Sequence, residues 1–388
     1  MAAEQGDGVD VVSGGPSSAP LPRRTRLLVL AAVAVVVAGA VVAFARCSAG
    51  GTPQAASTSA GPTGGPASDG SAATGAAGSP STSAAGPPLP SRPQEVTELP
   101  ARLTVDPAAA APLSARPVTR ARALVQPRAD EPDANPPVLA LAEDNTWRRL
   151  DVGDLRPAVD AAGNPQPVLD VTSLSPDGRR AAFAQPDKVV IVDLTTGRAR
   201  TVAVPGFNEN AAWSGEQVLV TQSGRTYLAG GPSPAAAPYA GDDVLLPAGA
   251  TVSTLSIGPD HQARLGRWPG GDQTPVRGAT DLMSWSGPGW RSGDLAARVA
   301  SVSSGPVAAP TGPPTTRLVL VNTAAATASF ADLPVADIRV LGWRDPSTVL
   351  LDAGGRQVLA YHTSGGSLTT VSTVTGPPAL LSLADGGR

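Results

Sequence analysis

The sequence predicts an all-β fold, a β-propeller of about six four-stranded blades with five or seven as the alternatives, preceded by one transmembrane helix and a disordered linker. Three observations predict it. The stretch LSPDGRRAAFAQPDKVVIVDLTTGRARTV at residues 174–202 sets apolar runs between two turn signals, Ser-Pro-Asp-Gly and Thr-Thr-Gly. That pattern returns at intervals of roughly 40–50 residues, the period of propeller blades. Finally, the last residues of the chain resemble the opening strand that the first repeat lacks.

In chain order, residues 1–26 are Gly/Pro/Ser-rich, without apolar periodicity, and too short and polar to fold alone. They are expected to be a disordered cytoplasmic segment. Residues 27–45, LLVLAAVAVVVAGAVVAFA, carry no charge, and about 20 apolar residues span a ~30 Å hydrocarbon core. Ala43-Phe44-Ala45 also offers a signal-cleavage site, but the apolar run exceeds the ~7–15 residues of a signal peptide, so an uncleaved anchor is expected. Arg23, Arg24 and Arg26 precede the run, whereas after Arg46 the next basic residue is Arg92. This asymmetry keeps the N-terminus in the cytoplasm and sends the C-terminal part outside. Cys47 is the one cysteine, so no intramolecular disulfide forms. Arg46 stands where a lipid-modified cysteine needs a small residue, and Cys47 reads as a membrane-edge thiol.

Residues 46–94 form a low-complexity Ala/Gly/Ser/Pro linker, which cannot bury enough apolar surface to offset its chain entropy. Residues 95–388 are the expected extracytoplasmic domain. Within it, six hairpins recur: residues 139–152, 190–202, 226–239, 264–276, 320–331 and 359–371. Gly197 and Gly366 stand where a hairpin loop calls for positive φ. A second turn precedes most hairpins, at Leu174 to Gly178, Trp213-Ser-Gly215, Leu255 to Pro259, Trp285-Ser-Gly287 and Trp343 to Pro346. The unit is therefore four antiparallel strands. The first blade begins at residues 121–125 without an inner strand, and ALLSLADGG at 379–387 matches VTSLSPDGR at 171–179. Residues 379–384 are expected to complete that blade, closing the ring and removing exposed strand edges.

Ser-Pro-Asp-Gly followed by Val-Val-Ile-Val-Asp-Leu-Thr-Thr-Gly resembles the WD40-like repeat of TolB-type bacterial propellers. The resemblance is strongest over residues 171–205 and weakest over 241–277. The Trp-Asp dipeptide of eukaryotic WD40 repeats is absent.

Composition and motifs argue against most chemistry. The net charge is −3, and Lys188 is the one lysine among 29 basic residues; no basic cluster marks a nucleic-acid face, and no nucleic-acid partner is expected. His261 and His362 both sit in turns. Asp242-Asp243 and the Asp130, Glu131, Asp133 group lack the alternating spacing of a calcium loop. The pairs Gly230-Gly231, Gly270-Gly271 and Gly354-Gly355 lie between strands, not at strand-to-helix junctions, and read as turns rather than phosphate loops. No G-x-S-x-G elbow occurs. No catalytic, cofactor-binding or metal residue is assigned, and no cofactor is expected. Trp213, Trp285 and Trp343 end the first strand of a blade, where a large ring packs between blades. Trp268 and Trp290 fall off that position and read as surface-site candidates. Residues 303–316, SSGPVAAPTGPPTT, interrupt one blade as a long excursion or partner contact.

These readings point to a monomeric, non-enzymatic, membrane-anchored propeller, a binding or scaffold module of the bacterial cell envelope. Its expected partner, an envelope protein or a glycan, sits at one rim. The alternatives are a propeller hydrolase or lyase acting on envelope glycans or peptides through carboxylates at the channel mouth, and an envelope sensor.

Overall fold

Short apolar runs ended by Gly, Asp and Asn turns make strands too brief to stand alone, so each must pair with neighbours and bury both faces. The computed structural model describes residues 92–384, apart from 95–96, 129–134, 160–164, 223–224, 230–234, 238–242, 248–251, 269–270, 303–315, 334 and 336. The segments 1–26 and 27–45 and most of the 46–94 linker lie outside the described residues. Among the described residues no α-helix occurs, and no helix is long and apolar enough to cross a membrane.

The strands form six blades. Two short elements come first, β1 (Arg102–Thr104) and β2 (Ala111–Pro112). Blade 1 holds β3 (Ala121–Pro127), β4 (Leu139–Ala142) and β5 (Trp147–Arg149). A small hairpin, β6 (Ala158–Val159) and β7 (Pro165–Gln166), separates it from blade 2. Blade 2 is β8 (Arg180–Gln185), β9 (Lys188–Asp193) and β10 (Arg198–Ala203), with Leu174 bridging to Ala181 on the inner side. Blade 3 is β11 (Asn210–Ser214), β12 (Gln217–Gln222), β13 (Arg225–Ala229) and β14 (Ala235–Ala237). Blade 4 is β15 (Leu245–Leu246), β16 (Val252–Ile257), β17 (Ala263–Trp268) and β18 (Thr274–Pro275). Blade 5 is β19 (Leu282–Ser292), β20 (Leu295–Val302), β21 (Thr316–Asn322) and β22 (Thr327–Leu333). Blade 6 is β23 (Ile338–Asp345), β24 (Thr348–Ala353), β25 (Gln357–His362) and β26 (Ser367–Thr375). Last comes β27 (Ala379–Leu383).

The six hairpins of the repeat are the outer pairs β4–β5, β9–β10, β13–β14, β17–β18, β21–β22 and β25–β26. Blade 4 departs from the expected register. Its inner element touches β16 only through the Val244–Thr254 bridge and otherwise runs parallel to β19 of blade 5. The turn after Leu255 therefore joins the second and third strands of its blade, not the first and second.

Strand period two sends alternate residues of one blade into the interfaces on either side. On β3, Leu124 packs with Phe183, Val190 and Val192 of blade 2, while Ala123 and Val125 pack with Leu350, Val358 and Ala360 of blade 6. Similar clusters join blades 2 and 3, 4 and 5, and 5 and 6. The ring closes as the termini predict: β27 pairs antiparallel with β3 from Ala379–Pro127 to Leu383–Ala123. Ser382 carries the closure into blade 2, its hydroxyl donating to Val171 O and accepting from Leu174 N, both at 2.9 Å.

A second clasp is not legible in the repeat. β1 runs parallel to β26 on the outer edge of blade 6, and β2 runs parallel to β5 on the outer edge of blade 1. The chain then reaches blade 2, where Val118 N donates to Leu194 O (2.9 Å) and Ala121 N to Gly178 O (2.7 Å). Gly178 (φ 70°) and Gly197 (φ 65°) are held against this strap, and a Cβ on either would collide with a backbone carbonyl, that of Ala121 or of Leu113. Gly215 (φ 59°) has the same hand but open space around it. Gly178→Ala is therefore expected to lose the ~1–2 kcal/mol of a left-handed residue plus ~1–3 kcal/mol of overpacking, and Gly215→Ala the first amount alone; urea unfolding of the two variants measures the difference.

Candidate functional site at one mouth of the channel

Residues of blades 2 to 6 surround a cavity of about 520 Å³, within the ~300–1,000 Å³ of small-ligand sites. Its wall is mixed: Val171, Ala212, Leu219, Val244, Leu246 and Ile338 supply an aliphatic part. The rest is mostly polar or charged and comes from blades 2, 3, 5 and 6. Blade 3 contributes a row: Asn210 pairs with Thr221 across β11–β12, and Thr221 with Thr226 across β12–β13. The hydroxyls of Thr221 and Thr226 are buried without a hydrogen-bond partner, Thr226 being 1% exposed.

Blade 5 contributes Trp285 and Arg298. β19 breaks register between Ser286 and Trp290 around Gly287-Pro288-Gly289, a bulge of the kind that re-aims a side chain beside a site. Before the bulge, Trp285 lines the cavity, its indole Nε1 buried without a partner. Arg298 lies beneath it, 2% exposed, with its guanidinium 5.0 Å from the Trp285 ring centroid. Its Nε donates to Gly287 O (2.9 Å), and its Nη1 to Leu255 O (2.8 Å) and Asp243 Oδ1 (3.4 Å). A cation this buried needs such partners to offset its desolvation.

The carboxylates at the cavity are engaged. Asp170 accepts Val171 N–H (2.6 Å), and with the Asn210 amide assigned so that its nitrogen faces the carboxylate it accepts a second bond at 2.6 Å. Asp337 accepts from Arg128 Nη2 at 2.8 Å and lies 3.9 Å from Arg339 Nε. Behind them Asp352, 1% exposed and paired across the strands with Arg339, accepts Gly355 N–H at 2.8 Å. Burial pushes its carboxyl up to about 6, against the Gly355 bond and the Arg339 charge.

One tryptophan departs from the place expected of it. Trp290, expected at the surface, is 9% exposed and donates its indole N–H to Val340 O of blade 6 (3.0 Å), while Trp343 donates to Trp290 O (2.9 Å). Trp285, expected to pack between blades, is half-buried against the core that joins blades 4 and 5 and also lines the cavity. The bulge lengthens β19 past Trp285 and moves the turn to Gly293-Asp294, which puts Trp290 in the place expected of a strand-end tryptophan. Trp-Arg-Ser-Gly at 290–293 mirrors Trp-Arg-Asp-Pro at 343–346 and carries that signal in the sequence. Trp213 packs as expected, 4% exposed, donating to Ser173 O at 2.9 Å. The Trp268 side chain, Asp130, Glu131, Asp133, Asp242 and residues 303–315 lie outside the described residues. Arg298 also has a sequence signal: it is the one charge in LAARVASV, a strand buried on both faces.

The remaining candidates are turn chemistry. His261 (φ 58°) tops a turn, its Nδ1 3.2 Å from Leu282 O, and His362 lies against Thr348 and Thr369. Burial works to raise the Asp177 and Asp193 carboxyls, but bonds from Ser175 and Arg179 N–H, and from Thr195 and Thr196, hold both below the usual range. Among the described residues no group of three His, Cys, Asp or Glu is placed to hold a metal ion.

The fold and this site define a six-bladed β-propeller with a ligand-sized cavity lined by five of its blades. No protein-family model and no curated protein sequence matches the chain. Solved structures similar to it include YCF48 bound to D1 peptide (11% identity, TM-score 0.37, covering 66% of this chain and 83% of that one). Others are an oligogalacturonate lyase in complex with manganese (14%, 0.37, 62% and 72%) and BamB from Moraxella catarrhalis (18%, 0.29, 50% and 58%). The blade count rests on the strand pairing and not on these likenesses.

Two outcomes follow from the buried polar groups. Thr226→Val removes a hydroxyl without a partner and is expected to stabilise the domain by about 1 kcal/mol in urea unfolding. Asp352 has a folded-state value above its unfolded one, so its contribution to stability is full below pH ~4 and is lost as pH rises through about 6. Asp352→Asn keeps an acceptor for Gly355 and is expected to flatten stability between pH ~4 and 7, a gain of up to about 3 kcal/mol at neutral pH, measured by unfolding across that range.

Proposed function

We propose that the protein is a non-enzymatic binding or scaffold module of a bacterial cell envelope, held to the membrane by residues 27–45 with its propeller on the outer side. The observation that carries the binding reading is the cavity itself: a ligand-sized space with an aliphatic part and fixed polar groups, whose carboxylates are tied to Arg128, Asn210 and backbone rather than set free as an acid–base pair. The apolar run, the basic residues before it and the low-complexity tether support the location. The resemblance of residues 171–205 to TolB-type repeats agrees with an envelope propeller. A hydrolase or lyase is the second reading, favoured by the presence of Asp170 and Asp337 at the cavity; it requires one of them to leave its partners and meet a substrate.

Cys47, the one thiol in the chain, stands two residues beyond the apolar run and makes a native topology probe. In intact cells a membrane-impermeant maleimide is expected to label it; labelling only after lysis overturns the orientation. For the binding role, the full chain and its Trp285→Ala variant are cross-linked in native membranes. Recovery of a stoichiometric partner that falls in the variant supports the reading, and equal recovery by both overturns it.

A further inference from the structure

We propose that the cavity lined by Trp285, Thr221 and Thr226 takes an uncharged, extended peptide segment that inserts one aliphatic side chain, a proposal that rests on the binding-module reading and names its ligand class. The wall holds three buried side-chain polar atoms without partners, Thr221 Oγ1, Thr226 Oγ1 and Trp285 Nε1. Buried polar atoms are nearly always paired in folded proteins, and an orphan calls for an explanation. Three in one cavity wall mark where a ligand completes the hydrogen bonding. An indole N–H only donates, so it asks for an acceptor such as a peptide carbonyl, whereas the threonine hydroxyls serve either role. A peptide backbone supplies carbonyls and N–H groups in alternation, which suits that set.

The aliphatic residues of the wall fit a Leu-, Ile- or Val-like side chain. A charged side chain fits poorly. Asp170 is answered by the Asn210 amide, turned nitrogen-inward, and Asp337 by Arg128 and Arg339, while Arg298 is answered by Asp243 and two backbone carbonyls. Every charge of the wall thus already has an opposite charge or a hydrogen-bond partner, and an entering charge is desolvated against groups already engaged. A sugar fits poorly too. One face of Trp285 already carries the Arg298 guanidinium, and the rest of the wall offers Val171, Ala212 and Leu246 rather than a second ring.

The test uses the full chain with ¹⁵N-labelled tryptophan, in which the Trp285 indole signal is identified by its loss in Trp285→Phe. It is titrated with acetyl-Ala-Leu-Ala-amide, with the same peptide carrying Asp or Lys at the centre, and with an N-acetylglucosamine trimer. The leucine peptide is expected to move the Trp285 signal in a saturable way, with the charged peptides at least about tenfold weaker and the trimer without effect. Thr226→Val, close in shape and folded, is expected to weaken the leucine peptide by about tenfold, the loss of one well-placed hydrogen bond. The proposal is overturned if the trimer moves the signal and the leucine peptide does not, if a charged peptide binds equally well, if Thr226→Val leaves affinity unchanged, or if no probe moves the signal. If no probe acts while Trp285→Ala still lowers partner recovery, the ligand class is wrong and the module reading stands; if recovery is also unchanged, both fall.

Discussion

A ring of sheets must dispose of its strand edges, and in this chain the pairing of β27 with β3 is what makes the rest possible. An open ring would leave the inner edge of blade 1 unpaired and strip blades 1 and 6 of the shared core that holds Ala123, Val125, Leu350 and Val358. Because each blade is buried against both neighbours, no blade is a stable unit alone. Ser382 extends the constraint by bonding to both Val171 and Leu174, so the closing strand also sets the inner segment of blade 2. That segment carries Asp170, Val171 and part of the cavity wall. Closure and site are coupled through this hydroxyl, through Gln126, which accepts Leu169 N–H, and through the packing of Val171 on Leu381 and Leu383.

The cavity arises where the repeat is least regular. In blade 4 the inner element pairs with blade 5 rather than lying flat on its own sheet, and in blade 5 the Gly-Pro-Gly bulge breaks the pairing of β19 with β20. The two irregularities meet at one point: Gly289 pairs with Leu245, and a side chain at Gly289 would strike Leu245 and crowd Arg298. Residues that would fill a regular channel are thereby drawn aside, and Trp285 and Arg298 take up the space. The cost is borne as unpaired hydroxyls and an unpaired indole, the pattern of a site that gives up some stability for binding.

Much of the fold was legible because turn chemistry is local. The positive φ of Gly197 and Gly366, the side-chain caps of Asp193 and Asn322, and the match between the C-terminal strand and residues 171–179 all lie within a few residues of one another or repeat at a fixed period. The site was not legible for the opposite reason. Its members come from five blades, and their meeting depends on register shifts that no periodic pattern encodes. Trp285 illustrates this: read by analogy with Trp213 and Trp343 it belongs between blades, where it does pack, and nothing in the repeat shows that the bulge after Ser286 also leaves it lining the cavity. The strap formed by β1 and β2 escaped as well, since strands of three and two residues carry no periodicity to read.

The strap has a mechanical meaning. The chain lies along the outer edges of blades 6 and 1 before the first blade begins, and its parallel pairs with β26 and β5 present several hydrogen bonds side by side to a pull along the strand. Tension arriving from the N-terminal side is thus resisted in shear at the rim of the ring. The β27–β3 joint, on the inner side of blade 1, stays out of that load path, so the seam that closes the ring is separate from the seam that a pull from the N-terminal side would load.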